Sequence, residues 1–193
     1  PARSNSRPVQ DLIGVAENVT FSADPAALFR ELLTTAGMTL RNPAGIFAAN
    51  TRLLWGYAGA LRAASERATG RDAPGPIESS RGDKRFADPA YQQNPAYFLL
   101  AQQYLLFSRY VDELLDTAGV SGTREAKARM AARFLVDVLA PTNTLLGNPA
   151  AIRKAFDTGG KSIVNGLKNW VHDVRHNGGW PSQVDSSGFE VGV

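Results

Sequence analysis

The sequence has no cysteine among its 193 residues. Disulfides, thiolate metal sites and catalysis by a cysteine of this chain are therefore excluded. Histidine and methionine are scarce as well, with two residues of each type. A chain without cysteine suits the cytoplasm, where disulfides are rare.

The sequence also lacks an apolar run long enough to cross a membrane. Its densest apolar stretch, residues 97–115, is interrupted by glutamine, serine and charged residues, whereas a spanning helix needs about 20 mostly apolar residues. The N-terminal sequence P-A-R-S-N-S-R-P has no apolar core like that of a signal peptide. We therefore expect a cytoplasmic protein with no transmembrane segment.

Neither sign of charge is in large excess. The chain has 21 basic and 18 acidic residues, a formal net charge of +3, and its arginines are scattered. Nucleic-acid-binding domains usually present a clustered basic face. We therefore expect no nucleic-acid partner.

One signal is repeated along the chain, an aspartate or asparagine followed by proline. It occurs at Asp24-Pro25, Asn42-Pro43, Asp88-Pro89, Asn94-Pro95 and Asn148-Pro149. The first side chain caps free N–H groups of a helix, and proline at the first helical position loses no hydrogen bond. With apolar residues at helical spacing after most of these pairs, the sequence predicts an all-α, multi-helix fold. The predicted helices are 25 to about 40, 43–68, 95 to about 118, about 123–139, a short one from 149, and about 162–176.

The apolar residues predict which helix faces are buried. The stripe of the second helix consists of Ile46, Asn50, Leu53, Leu54, Tyr57 and Leu61. Gly56 and Gly59 in the same helix permit a kink or a close helix contact. The third helix is apolar on nearly every side, which indicates a central position or a surface shared with a partner. In the fourth helix we expect Met130, Phe134, Leu135 and Val138 to point inward.

A long loop rich in glycine, proline and serine, residues 70–94, is the candidate domain boundary. We expect Phe86 and Tyr91 to anchor its second half. The predicted organisation is a flexible N-terminal arm (1–23), a helical hairpin (24–69), the loop (70–94), a helical domain (95–188) and the start of a strand (189–193). Phe189, Val191 and Val193 alternate with other residues, as in a β-strand. Arg81-Gly82-Asp83 spells an integrin-binding tripeptide, a role not expected without a secretion signal.

Gly159-Gly160-Lys161-Ser162 matches the end of a phosphate-binding loop. The full motif needs glycine where this chain has Ala155, and it needs a strand upstream where a helix is predicted. The interpretation favoured here is a helix-breaking glycine pair, with Ser162 capping the next helix.

His172 and His176, four residues apart, share a helix face, which is how some zinc proteases present two ligands. Asp173 is one methylene shorter than the glutamate such enzymes use as a base. The positive charge of Arg175 would repel a divalent cation, and no third ligand stands at an obvious spacing. We therefore predict no metal site and interpret the pair as surface histidines near a helix C-terminus.

No nucleophile of another kind is indicated. The sequence has no G-x-S-x-G elbow, and Asp112, Glu113 and Asp116 are most simply a solvated helix face. We predict no catalytic, cofactor-binding or metal-binding residue and no cofactor.

Four segments resemble polyhydroxyalkanoate (PHA) synthases just ahead of their catalytic domain. They read D-K-R-F-A-D-P-A-Y from Asp83, A-P-T-N-T-L-L-G-N-P from Ala140, F-D-T-G-G-K-S from Phe156 and N-G-G-W-P-S-Q from Asn177. The likeness covers roughly residues 42–193. Its N-G-G-W-P-S-Q and G-G-K-S segments are most similar to synthases of medium-chain monomers. Tyr91 stands where many relatives have tryptophan. The matching residues are Asp83, Arg85, Phe86, Pro89, Tyr104, Pro141, Asn143, Asn148, Pro149, Gly159, Gly160, Ser162, Gly166, Phe189, Val191 and Gly192.

The resemblance implies an enzyme that polymerises (R)-3-hydroxyacyl-CoA with release of CoA, using an α/β-hydrolase domain with a catalytic cysteine, histidine and aspartate. No residue of this chain matches those three. We therefore expect the non-catalytic N-terminal part of such a synthase, inactive alone and leading into an absent catalytic domain.

The resemblance also implies partners. They are the chain's own catalytic domain, a second copy in a homodimer, and the PHA granule surface or its phasin-type coat proteins. The alternative that the residues leave open is a stand-alone helical adaptor or granule-associated scaffold.

Overall fold

The computed structural model describes residues 25–80 and 82–176. This part of the chain contains seven α-helices and no strand, so the predicted all-α fold is confirmed. The helices are α1 (Pro25–Thr39), α2 (Pro43–Ala68), α3 (Ala90–Gln93), α4 (Pro95–Thr117), α5 (Gly122–Val138), α6 (Pro149–Asp157) and α7 (Lys161–His176), with a 3₁₀ turn at Pro141–Asn143.

The arm predicted at residues 1–23 and the strand predicted at 189–193 lie outside the described residues, as does Arg81. None of the helices in 25–80 and 82–176 has the length and apolar content that crossing a bilayer requires.

The Asx-Pro pairs begin helices as predicted. The side-chain oxygens of Asn42, Asp88, Asn94 and Asn148 each accept a backbone N–H from two or three residues further on, at 2.9 to 3.1 Å. Each bond satisfies a donor that the first helical turn leaves without an intrahelical partner. Asp24 lies outside the described residues. These local bonds explain why most predicted helix starts agree with the structure to within a residue.

The chain forms two compact units. The described part of the first comprises residues 25–53 and 108–137. Its core contains Leu115, Ala128 and Ala132, against which Leu32 and Val111 pack. The Thr39 hydroxyl links α1 to α4 by donating to the carbonyl of Leu114 at 3.1 Å.

The described part of the second unit comprises residues 54–80, 82–107 and 138–176. In one part of its core Ala63, Ala64 and Ala73 surround Phe98. Gly56 makes the close helix contact that the sequence allowed, because a Cβ there would lie 2.6 Å from Cδ2 of Leu106. Phe86 and Tyr91 are buried, which confirms that they anchor the second half of the 70–94 loop. The domain boundary placed at that loop remains a prediction.

The predicted inward face of α5 is wrong. Met130, Phe134, Leu135 and Val138 are all exposed, and the buried residues of the helix are Ala128, Ala131, Ala132 and Val136. Small side chains allow neighbouring helices to approach closely, so the alanine face is buried and the bulky residues lie outside. The apolar stripe predicted for α2 is likewise not the buried face throughout, because Leu54 and Leu61 are exposed while four alanines of the helix are buried.

Candidate interaction surface

The two histidines of α7 contact each other. Their ring centroids are 4.1 Å apart, and Nδ1 of His176 lies 2.7 Å from the carbonyl oxygen of His172. Both side chains are exposed, as expected for the last turns of a surface helix. Among the described residues no group of three or more histidine, aspartate and glutamate side chains is placed to hold a metal ion.

The Gly159-Gly160 pair lies between α6 and α7 and separates the two helices. Both residues have positive φ, 55° and 82°, a region that favours glycine. The pair therefore acts as the predicted helix breaker. Ser162 is not the cap, however: α7 begins one residue earlier, and the Ser162 N–H donates to the Thr158 hydroxyl at 3.2 Å. Thr158 accordingly satisfies one free N–H at the start of α7.

Asp83, Arg85 and Tyr104, which carry part of the family resemblance, form one cluster in the second unit. The Arg85 guanidinium donates to both carboxylate oxygens of Asp83, at 2.9 and 2.8 Å, and to the Tyr104 hydroxyl. The hydrogen bond from Arg85 lowers the pKa of the Asp83 carboxyl below its ordinary value. The ring of Phe86 lies 5.6 Å from that of Tyr104. This cluster ties the loop to α4.

A second set of contacts, which includes the family-matching residues Asn148 and Pro149, joins the loop to the start of α6. Arg153 donates to the Asp88 carboxylate at 2.5 Å, which lowers the pKa of that carboxyl. The Asn148 amide donates to the Thr142 carbonyl at 3.0 Å. Pro149 is buried at the first turn of α6. These bonds fix α6 against the loop and the 3₁₀ turn.

A cleft of about 530 Å³ lies between the loop, α2 and α4 in the second unit. Two of its polar side chains, Arg67 and Gln102, hold the loop. Arg67 donates to the carbonyls of Ala73 and Gln92, both at 2.8 Å, with its guanidinium 4.0 Å from the ring centroid of Phe98. Gln102 donates to the carbonyl of Ile77 at 2.9 Å and accepts its N–H at 3.2 Å. Arg67 and Gln102 therefore serve the fold.

The strongest candidate for function is an exposed apolar surface on α6 and α7, which we call the C-terminal apolar surface. Its cavity, of about 430 Å³, lies between the loop before α6, α6 and the start of α7. All sixteen residues of α7 are described, and none of them is buried. Ile163, Leu167 and Trp170 recur at helical spacing, which places them on one face. The exposed apolar side chains that define the surface are Leu145, Leu146, Phe156, Ile163, Leu167 and Trp170.

Part of this surface was not anticipated from the sequence. Leu145, Leu146 and Phe156 stand in or beside a short helix, where the apolar pattern is too brief to indicate a face. Gly166, by contrast, carries the family resemblance and lies in the middle of α7 with open space where its Cβ would be. The resembling residues Phe189, Val191 and Gly192, and the segment 177–183, lie outside the described residues.

The chain is similar in sequence to several poly(3-hydroxyalkanoate) polymerases. A poly(3-hydroxyalkanoate) polymerase 1 of Ectopseudomonas oleovorans is 40% identical over 110 residues, which cover 57% of this chain and 20% of that protein. A poly(3-hydroxyalkanoate) polymerase of Methylorubrum extorquens is 28% identical over 178 residues, covering 91% of this chain and 29% of that protein. The subunit PhaC of Cupriavidus necator is 36% identical over 121 residues, covering 63% and 20%. No solved structure matches significantly.

The chain thus spans between 20% and 29% of the length of these curated relatives. The family model described as Poly-beta-hydroxybutyrate polymerase (PhaC) N-terminus matches residues 82–193. That range includes the Asp83 cluster, the residues around α6 and the whole of α7. The chain belongs to the family of PhaC polymerase N-terminal regions.

Proposed function

We propose that this chain is the non-catalytic N-terminal part of a polymerase that joins (R)-3-hydroxyacyl groups from CoA thioesters into a polyester and releases CoA. The family and the names of the relatives support this activity for the whole polymerase. The chain has no cysteine, so the thiolate that forms an acyl-enzyme thioester would come from the remainder of the polymerase. The function of this part is then structural support of that remainder.

The observation that carries the proposal is the C-terminal apolar surface. Phe156 is 81% exposed and Trp170 is 54% exposed, which leaves two large aromatic side chains in solvent. A surface helix is stabilised mainly by burial of its apolar face, yet α7 buries no residue. Exposed contiguous apolar patches mark interaction sites. We infer that the remainder of the polymerase covers this surface.

Gly166 supports the same conclusion. Glycine in the middle of a helix destabilises it by about 0.5–1 kcal/mol relative to alanine, and no atom of residues 25–80 and 82–176 lies within 4 Å of a Cβ at that position. Gly166 follows Ile163 by three residues and precedes Trp170 by four, so it adjoins the apolar face. A glycine at this position lets a partner backbone approach α7 closely. The cost to the isolated helix is then offset by docking.

Self-association and granule contact belong to the same proposal. In α2 the exposed side chains Leu54 and Leu61 stand seven residues apart on one face, beside the exposed Trp55. Seven-residue spacing is the repeat of helices that pair along a seam. We propose that this stripe supports a homodimer of a cytoplasmic polymerase. Its apolar side chains also suit contact with a polyester granule surface or with phasin-type coat proteins.

The experiment that tests the proposal is to read the natural open reading frame beyond the codon for Val193. We expect the frame to continue into a G-x-C-x-G elbow, followed by an aspartate and a histidine, as the family resemblance implies. A stop codon at that position would overturn the polymerase assignment. The stand-alone adaptor or scaffold would then be the function of the chain.

A further inference from the structure

The net positive charge of the chain is concentrated on α6, α7 and the turn between them. Residues 149–176 contain five basic and two acidic residues, a formal net charge of +3 that equals the net charge of all 193 residues. The rest of the sequence is therefore balanced in charge. On α7 the basic residues are Lys161, Lys168 and Arg175, and all three are exposed.

These three residues, which we call the basic edge, lie along one line of α7. Positions seven apart on an α-helix differ by only about 20° in direction and are separated by about 10 Å along the axis. Lys168 stands four residues after Val164, and Arg175 stands four residues after Val171. Residues four apart are neighbours on a helix surface, and Val164 is in turn a neighbour of Leu167. The basic edge therefore borders the apolar face of α7 on this side.

The other border of the same face has a different character. Gly166 stands four residues before Trp170, and Asp173 stands three residues after it, so both adjoin the face on the side away from the basic edge. This border of α7 has no lysine or arginine. A helix that lies on an anionic lipid surface is surrounded by headgroups and is rich in lysine and arginine on its polar face. A charge on one border alone fits a protein partner with a fixed arrangement of charges better.

The position of Lys161 also points to an acidic partner. Lys161 is the first residue of α7. The N-terminus of a helix has a partial positive charge and favours acidic side chains, yet the first turn of α7 contains none. The lysine therefore weakens the isolated helix. As at Gly166, the cost is offset when a partner supplies the complementary group, which here is a negative charge.

We propose that the part of the polymerase that covers the C-terminal apolar surface presents carboxylate side chains along the basic edge. This inference rests on the proposed function, which supplies the occupant, and adds the occupant's chemistry: an apolar patch bordered on one side by aspartate and glutamate. Complementary charges steer association and fix the register in which two surfaces meet. Because the basic edge lies on one border only, it also distinguishes between the two directions in which a partner could lie along α7.

The test is the affinity of the full 193-residue chain for the remainder of the polymerase, expressed as a separate polypeptide, at about 50 and about 300 mM salt. One variant carries Lys161→Gln and Lys168→Gln. The control carries Lys127→Gln and Arg133→Gln, which remove the same charge from exposed positions on α5. Because Lys161→Gln removes a charge that the helix N-terminus disfavours, weaker binding would not result from a weaker α7.

At the lower salt concentration we expect the Lys161→Gln, Lys168→Gln variant to bind about fivefold more weakly than the unsubstituted chain, through slower association. At the higher concentration the difference should fall below about twofold, since exposed charges are screened. The control should match the unsubstituted chain at both concentrations. Equal binding by the two variants at the lower concentration would overturn the inference, and the proposed function would stand if Phe156→Ser with Trp170→Ser still weakened binding. No binding by the unsubstituted chain at either concentration would overturn both.

Vesicles of phosphatidylglycerol test a lipid surface as the alternative occupant. We expect the unsubstituted chain and the Lys161→Gln, Lys168→Gln variant to sediment with these vesicles to the same small extent at about 150 mM salt. Vesicle binding by the unsubstituted chain that the variant loses would assign the basic edge to anionic lipid and would overturn the proposal.

Discussion

The hydroxyl of Tyr91 donates a hydrogen bond to the carbonyl of Gly147, 56 residues further along the chain, at 2.5 Å. The ring of Tyr91 is buried and meets that of Phe86 edge-on, with centroids 4.9 Å apart. The bond therefore connects the anchored half of the loop to the segment that leads into α6. Because α6 carries Phe156, this contact helps to hold the C-terminal apolar surface in place.

We predict that Tyr91→Phe lowers the free energy of unfolding by about 1–2 kcal/mol, since it leaves the buried carbonyl of Gly147 without its donor. Tyr110→Phe is the matched control. Tyr110 donates to the exposed Asn50 side chain at 2.8 Å, and water can replace that bond, so a loss below about 0.5 kcal/mol is expected. Urea unfolding measures both values, and equal losses would contradict the structural role given to Tyr91.

Replacement of two glycines by alanine is predicted to change the free energy of unfolding in opposite directions. At Gly147 a Cβ would collide with the carbonyl of Pro141, so Gly147→Ala should destabilise the chain by about 1–3 kcal/mol. At Gly166 the space is open, and Gly166→Ala should stabilise α7 by about 0.5–1 kcal/mol. Thermal unfolding of the two variants checks both signs. A destabilising Gly166→Ala would mean that the residue is required by the chain's own fold.

Acid is predicted to remove part of the stability. The folded-state pKa of Asp88 is lowered chiefly by the hydrogen bond from Arg153, and that of Asp83 by the one from Arg85. A lowered carboxyl pKa contributes stability that is present above the unfolded pKa, about 3.9, and is lost as the pH falls through the folded pKa. Arg153→Gln should therefore flatten the decline of unfolding free energy below about pH 4. An unchanged slope would show that the pair contributes nothing.

The first unit contains a buried hydroxyl whose removal should be favourable. Thr35 is fully buried, and its Oγ1 has no partner in the described part of the chain. We predict that Thr35→Val raises the free energy of unfolding by about 1 kcal/mol, because a buried unpaired polar group is costly. Thr39→Val should have the opposite effect, since that hydroxyl contacts the carbonyls of Thr35 and Leu114. Destabilisation by both variants would contradict this interpretation.

The helices of this protein were predictable from its sequence, whereas their buried faces were not. Helix starts depend on local bonds, such as those of Asn94 and Asn148 to the N–H groups that follow them. Which face is buried depends on how closely helices approach, and in α5 alanines lie inside while Phe134 lies outside. Apolar character alone does not decide burial.

The candidate surface was only partly predictable for the same reason. The spacing of Ile163, Leu167 and Trp170 indicates a helix face, but only the structure shows that no other part of the described chain covers it. The surface also includes Phe156, which becomes its neighbour through the turn at Gly159-Gly160.

We propose above that the C-terminal apolar surface docks onto the remainder of the polymerase. The most direct measurement is the affinity of the 193-residue chain for that remainder, expressed as a separate polypeptide. Phe156→Ser with Trp170→Ser removes two exposed apolar side chains from the surface, and Leu54→Ser with Trp55→Ser removes two exposed apolar side chains from α2 as a control. We predict at least about tenfold weaker binding for the first pair, as for buried aromatic anchors, and unchanged binding for the control. Equal affinities for the unsubstituted chain and both double variants would contradict it.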